Sequence, residues 1–192
     1  PVDEEPVDPA EMARAIEFVR DQPLIVEPRR QWPSGMDEER GRIPAEQLVE
    51  SQWIAQQHGF VRPATEQPPY SVFCRGAERA VFPTCRNYDV HAVVWAPLNG
   101  GWLTGKYRRD QPPQPASRAE REPDHFDHAG NWREVKLDLV ERLNAIADAA
   151  GVTLTGLALG FALAHPAVAA VLIGPRTPEQ LASLKKTESQ LA

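Results

Sequence analysis

The segment Val171–Leu181, VLIGPRTPEQL, holds the residues whose order points most directly to chemistry. It predicts a buried strand over Val168–Ile173, then Gly-Pro-Arg, then a helix opened by Thr177-Pro-Glu-Gln180. In that box the Thr177 hydroxyl accepts from the Gln180 amide and the Gln180 side chain reaches back. Pro178 takes the first helical position, where a missing N–H costs nothing. Helix-start amides and the positive end of the helix dipole attract anions, and Arg176 adds a planar guanidinium that grips phosphate bidentately. An ordinary strand-to-helix turn with a surface arginine has the same local sequence, so a ligand role needs support from the rest of the chain.

That support comes from the elements around it. From Ala64 onward, short apolar runs alternate with helical periodicity, which predicts parallel βα units with fully buried strands. A short strand lies within Ala64–Tyr70 and ends in Gln67-Pro-Pro-Tyr70, and His91–Trp95 is a second, followed by the loop Ala96–Gly101. In such folds ligands bind at the C-terminal ends of strands. Three ends here carry polar or turn chemistry: Gln67 with Tyr70, Trp95–Leu98, and Gly174–Arg176.

The helices expected to flank the strands start with Pro9 to about Arg20, capped by Asp8 with Glu11 three residues on. A second runs from Pro44 to about His58 and stops at Gly59, with Leu48, Trp53 and Ile54 facing inward. Glu78–Tyr88 is helical if it kinks at Pro83 or begins near it. Asn131-Trp-Arg-Glu134 opens a helix ending at Gly151, with Leu139, Leu143 and Ile146 on one face, and Thr155–Ala164 is an apolar helix. Between Gln22 and Arg42 only Leu24–Val26 has strand character, and 111–130 reads as a long irregular loop.

Composition narrows the class. The chain has 192 residues, 42% hydrophobic, with 21 Lys and Arg against 27 Asp and Glu, a formal net charge of −6. Mild acidity argues against a nucleic-acid partner, and no apolar run approaches the roughly 20 residues that span a bilayer. Cys74 and Cys85 have no CxxC spacing and read as reduced thiols, with a cytoplasmic location expected. The histidines His58, His91 and His165 read as structural, and Tyr70 and Tyr107 as packing or wall residues. Trp102 and Trp132 read as core packing or as flanks of a substrate pocket. Asp124-His-Phe-Asp-His128 carries too few ligands for a closed metal site, so none is expected.

Together, EQPPYS (Glu66–Ser71), VVWAPLNGGWLTGKY (Val93–Tyr107), SRA (Ser117–Ala119) and IGPRTPEQL (Ile173–Leu181) resemble the C-terminal half of an aldo-keto reductase, in the bacterial branch related to potassium-channel β subunits. The resemblance runs from about Ile43 to the end of the chain. It implies an α/β fold, a partial or modified (β/α)8 barrel with parallel strands alternating with helices. Residues 1–42 form a divergent Pro/Arg-rich segment with one helix, and 43–192 the half-barrel. It also implies NADP(H) as cofactor and a small carbonyl or alcohol as substrate.

Carried over residue by residue, the resemblance gives Gln67 the nicotinamide carboxamide. Trp95, Ala96, Pro97 and Leu98 would line the path of ribose and pyrophosphate, and Lys106 and Arg118 would face phosphates. Gly174, Arg176 and Gln180 would hold the adenosine end, with the 2′-phosphate near Arg176. Ala96 stands where the family usually has Ser, and Ser183-Leu184 where a Glu-Asn pair is common.

The family's catalytic set is an Asp and a Tyr after the first strand, a Lys on the third and a His on the fourth. PVDEEPVDPAEMARAI resembles the stretch after the fourth strand, and no Asp-x-Ala-x-x-x-Tyr pattern or Lys strand is found. The catalytic residues are therefore unknown, and turnover by this chain alone is not expected. Part of a longer chain, a half that pairs with itself or with a complementing subunit, and a repurposed fold all accommodate this. Two functions follow: an NADP(H)-linked oxidoreductase, or a non-catalytic cofactor-sensing or partner-binding derivative of the same fold.

Overall fold

A computed structural model describes residues 8–21, 44–115, 117–121, 123 and 132–191. Leu24–Val26, the Asn131 cap and the Asp124–His128 loop lie outside these. The described helices are α1 (Pro9–Asp21), α2 (Ala45–His58), α3 (Val81–Asn87), α4 (Arg118–Arg121), α5 (Trp132–Ala149), α6 (Leu154–Leu163) and α7 (Pro178–Leu191). The strands are β1 (Thr65–Glu66), β2 (His91–Val94) and β3 (Val168–Val171). The contacts divide the chain into two compact units, one of 24–97 with 162–173, the other of 1–23, 98–161 and 174–192.

The sheet belongs to the first of these units. Its order is β1-β2-β3, and both pairings are parallel, as the alternating pattern requires. The register slips between Ala92 and Val93, so Val93 faces Ala170 where an even ladder would give Ala169. Uniform burial does not hold. In β2 Ala92 and Val94 are fully buried, whereas in β3 Ala169 is exposed and the other three residues are only half-buried, and Leu172 and Ile173 lie beyond the strand and are exposed. The difference follows from position, since β2 is central and β3 is an edge among the described strands.

Within the same unit α3 packs on β2, and α2 packs on α3. Helix α3 begins at Val81, so Pro83 falls in the first turn, where a missing N–H breaks no helical bond. Tyr70, Phe82 and His165 form one aromatic cluster, with ring centroids 4.4–5.9 Å apart. The Tyr70 hydroxyl donates to Glu78 at 2.7 Å, and His165 Nδ1 accepts from the Ala167 amide at 3.2 Å. Both roles are structural. Cys85 is free and buried, and burial, with the Glu66 carboxylate adding to it, pushes its thiol up to about 11. A thiol so reluctant to ionise is a poor nucleophile.

Helix α2 presents a different face from the expected one. Leu48, Gln52 and Ala55 point inward, whereas Trp53 is 60% and Ile54 39% exposed. A stripe at 48, 52 and 55 has i, i+4, i+7 spacing, and Trp53 and Ile54 fall off it. Gln52 is buried because it is fully used: its amide donates to Pro63 O and its oxygen accepts from Arg62.

In the other unit α1 packs on α5. Asp8 caps α1 by accepting from the Ala10 amide at 2.9 Å. A Cβ at Gly156 would stand a tight 3.1 Å from Thr153 Oγ1 and in ordinary contact with Thr187 Cγ2 and Met12 Cε. Leu139 and Leu143 are buried on α5 while Ile146 is half-buried. The irregular reading of 111–130 is corrected at Arg118–Arg121, which is helical with Ala119 buried. Among the described residues no single helix is long and apolar enough to cross a membrane.

The face assignment of α2 is testable by urea unfolding. Leu48→Ala is expected to cost about 2–5 kcal/mol, and Trp53→Ala less than about 0.5 kcal/mol. Equal losses at the two positions would contradict it.

Candidate functional site

In the sheet-bearing unit, the ends of β1 and β2 stay together beyond the strands. Pro69 and Trp95 form a parallel bridge, Trp95 N–H donates to Pro68 O, and Tyr70 N–H donates to Trp95 O, each at 3.2 Å. Gln67, exposed, thus stands on the same rim as half-buried Trp95. Ala96 follows with φ +56 and leads into buried Pro97. A left-handed alanine costs on the order of 1 kcal/mol, and such strain is commonest where backbone shape serves a site.

The other unit holds Leu98, Lys106, Arg118, Gly174, Arg176 and Gln180. Leu98 has φ −97 and Asn99 φ +46, a right-then-left alternation that turns successive amides toward one concave side, as in anion-binding nests. Lys136, buried on α5, donates from Nζ to Asn99 Oδ1 at 3.4 Å and lies 5.6 Å from the Trp102 ring centre. Trp102 in turn packs on Tyr107 at 5.1 Å between centroids. Farther along, Arg109 engages Glu134 and Asp138 and lies 3.9 Å from Glu141, three carboxylates on one face of α5. Exposed pairs are individually weak, but three on one guanidinium make a clasp. The segment carrying Lys106 is therefore fastened to α5 at both ends.

Lys106 is where charges converge. Burial lowers its proton affinity first, and the Arg176 and Arg118 guanidiniums lower it further. Tyr107 is next to the same group: burial raises its phenol, while the Ala119 backbone and the charges of Arg118, Arg121 and Arg176 pull it down. Two guanidiniums from two chain segments thus act on one half-buried ammonium, which lies 5.1 Å from the Tyr107 ring centre. Like charges gathered this way oppose one another.

The start of α7 differs from expectation in an instructive way. Gln180 N–H donates to Thr177 Oγ1 at 3.2 Å, as the box requires. The Gln180 side chain, however, accepts from the Arg176 amide at 2.8 Å rather than from Thr177. The Glu179 carboxylate is held below its usual range by its own amide and the Thr177 hydroxyl. Side-chain oxygens already satisfy these helix-start amides, so the anion-binding capacity of this turn rests on the Arg176 guanidinium.

Sequence reasoning missed Tyr107 and Arg121 as members of the group, having taken Tyr107 for a wall residue. Arg121 lies three residues after Arg118, a spacing that shares a helix face and was there to be read. Among the described residues no cluster of His, Cys, Asp and Glu suits a metal ion.

A sheet of parallel strands alternating with helices defines an α/β protein. The aldo/keto reductase family model matches residues 43–190, and the chain belongs to that family, whose fold is the (β/α)8 barrel. A Bacillus subtilis protein named as an uncharacterized oxidoreductase is 35% identical over 135 residues, 70% of this chain and 38% of that protein. An Arabidopsis thaliana protein named as a probable voltage-gated potassium channel subunit beta is 32% identical over 138 residues, 71% of this chain and 42% of that one. A fission-yeast protein, of Schizosaccharomyces pombe, named as a putative subunit of the same kind is 32% identical over 134 residues, covering 67% and 38%. The matched stretch spans about two fifths of the length of these relatives.

The occupancy of the α7 start predicts a pH effect. Because the Glu179 pKa is depressed in the folded chain, its stabilisation is present above the ordinary carboxylate range and is lost as pH falls through the folded value. The protection factors of the first α7 amides, corrected for the intrinsic pH dependence of exchange, are expected to fall in that acid range, and Glu179→Gln is expected to abolish the fall. Protection factors unchanged by acid in the native chain would contradict the assignment.

Proposed function

We propose that this chain carries the phosphate-holding part of an NADP(H)-linked oxidoreductase acting on a carbonyl or alcohol substrate. The observation that carries the reading is the convergence of Arg176 and Arg118 on Lys106. The donor set fits the group: two guanidiniums, each a planar fork suited to phosphate, and one ammonium as a point charge. Family membership supports the oxidoreductase class.

In this reading Lys106 and Arg118 neutralise the pyrophosphate and Arg176 takes the 2′-phosphate. The Lys136–Asn99 bond and the Arg109 clasp hold the Lys106 segment so that little ordering remains to be done on binding. When bound, the dinucleotide supplies the reducing equivalents that convert a carbonyl to an alcohol. The proton that reaches the substrate oxygen is left without a named donor. Tyr70 is committed to Glu78, and burial raises the Tyr107 phenol against the pull of nearby arginines.

A second reading is favoured by the relatives named as channel β subunits: a cofactor-sensing or partner-binding protein without turnover. The oxidoreductase and the cofactor-sensing form of this second reading share the cofactor, and steady NADPH oxidation with small aldehydes separates them.

Fluorescence titration tests the shared part. NADPH is expected to bind about tenfold more tightly than NADH, because a charge-assisted bidentate contact is worth roughly 1.5–3 kcal/mol. Arg176→Ala is expected to erase the difference while leaving NADH binding nearly unchanged. Equal, weak binding of both nucleotides by the native chain would overturn the proposal.

A further inference from the structure

Lys106 is placed by a turn with an unusual backbone. Asn99, Gly100 and Gly101 are successively left-handed, with φ +46, +66 and +100. The ammonium of Lys106 lies directly over the last of them. A Cβ added at Gly101 would stand 2.7 Å from both Lys106 Cε and Lys106 Nζ, and 3.5 Å from the Tyr107 hydroxyl. The first two separations are far inside van der Waals contact, so either the turn or the lysine must move.

The turn is the stiffer partner. Gly101 N–H donates to Leu98 O at 2.9 Å, and Gly101 O accepts from Thr104 Oγ1 at 2.8 Å. One residue before Gly100, the Asn99 side chain is held by buried Lys136. Lys106 reaches its place on a flexible four-carbon stem, which yields more readily than a backbone hydrogen-bonded on both sides. Its displacement carries the ammonium away from the position it holds, without altering the number of charges.

We infer that Gly101 is a positioning residue for Lys106: the missing side chain at 101 is the space in which the ammonium sits, and any larger residue ejects it from the phosphate group's path. The inference rests on the reading that Lys106 faces cofactor phosphate. It adds that the grip depends on a residue that offers no charge and no donor side chain.

The test compares the native chain with Gly101→Ala, Lys106→Met and the double variant, by NADPH titration and by ligand-free NMR titration of the lysine side chains. Gly151→Ala is the control, because Gly151 is also left-handed, at φ +65, and a Cβ there meets nothing within 4 Å. Gly101→Ala is expected to return the Lys106 titration toward the ordinary lysine value and to weaken NADPH about five- to tenfold. It is expected to add nothing in the Lys106→Met background, and Gly151→Ala should change neither readout. Gly101→Asn, which tolerates left-handed backbone better, replaces Gly101→Ala if that variant does not fold.

If Lys106→Met weakens binding and Gly101→Ala leaves binding and titration unchanged, the inference is overturned. The same holds if Gly101→Ala weakens binding equally without the lysine. If Lys106→Met binds NADPH as the native chain does, the cofactor reading itself fails, and the ligand-free lysine titration still decides whether Gly101 positions the amine.

Discussion

A half-buried lysine facing the charges of two exposed arginines is the constraint around which one unit of this protein is organised. Lys106 gives up proton affinity first to burial and then to Arg176 and Arg118. The loop that carries it is fastened to α5. A buried lysine on α5 holds Asn99 in a left-handed conformation, and three carboxylates on the same helix engage Arg109. Helix α5 is thus the frame on which the loop is stretched, and α1 packs on that frame.

The start of α7 shows how the same charges share labour with the backbone. Its amides are satisfied by Thr177, Glu179 and Gln180, so this turn is stable without any ligand. The exposed Arg176 guanidinium is mounted on this turn.

Much of the fold was legible because its signals are local. Parallel neighbours at 65–66, 91–94 and 168–171 follow from short apolar runs separated by helices, and Gly59 ends α2 where expected. What misled was position within the assembly of elements. Whether Val168–Val171 is buried depends on being at an edge, and whether Trp53 is buried depends on which stripe of α2 faces inward. Neither is encoded in a window of neighbouring residues. The site divides the same way. Arg176 and Gln180 announce themselves through a capping box, whereas Tyr107 and Gly101 matter because the chain folds back over itself, bringing Lys106 across a glycine five residues before it.

The central claim is that this cluster awaits a polyanion, and proton linkage tests it most directly. An anion arriving among Lys106, Arg118 and Arg176 must raise the lysine's depressed proton affinity, so binding takes up protons where Lys106 is partly deprotonated. Calorimetric titration with NADPH across the alkaline range, in buffers of different ionisation enthalpy, reads that exchange. The account predicts net proton uptake that disappears in Lys106→Met. Binding with no proton exchange, or with release, would contradict it.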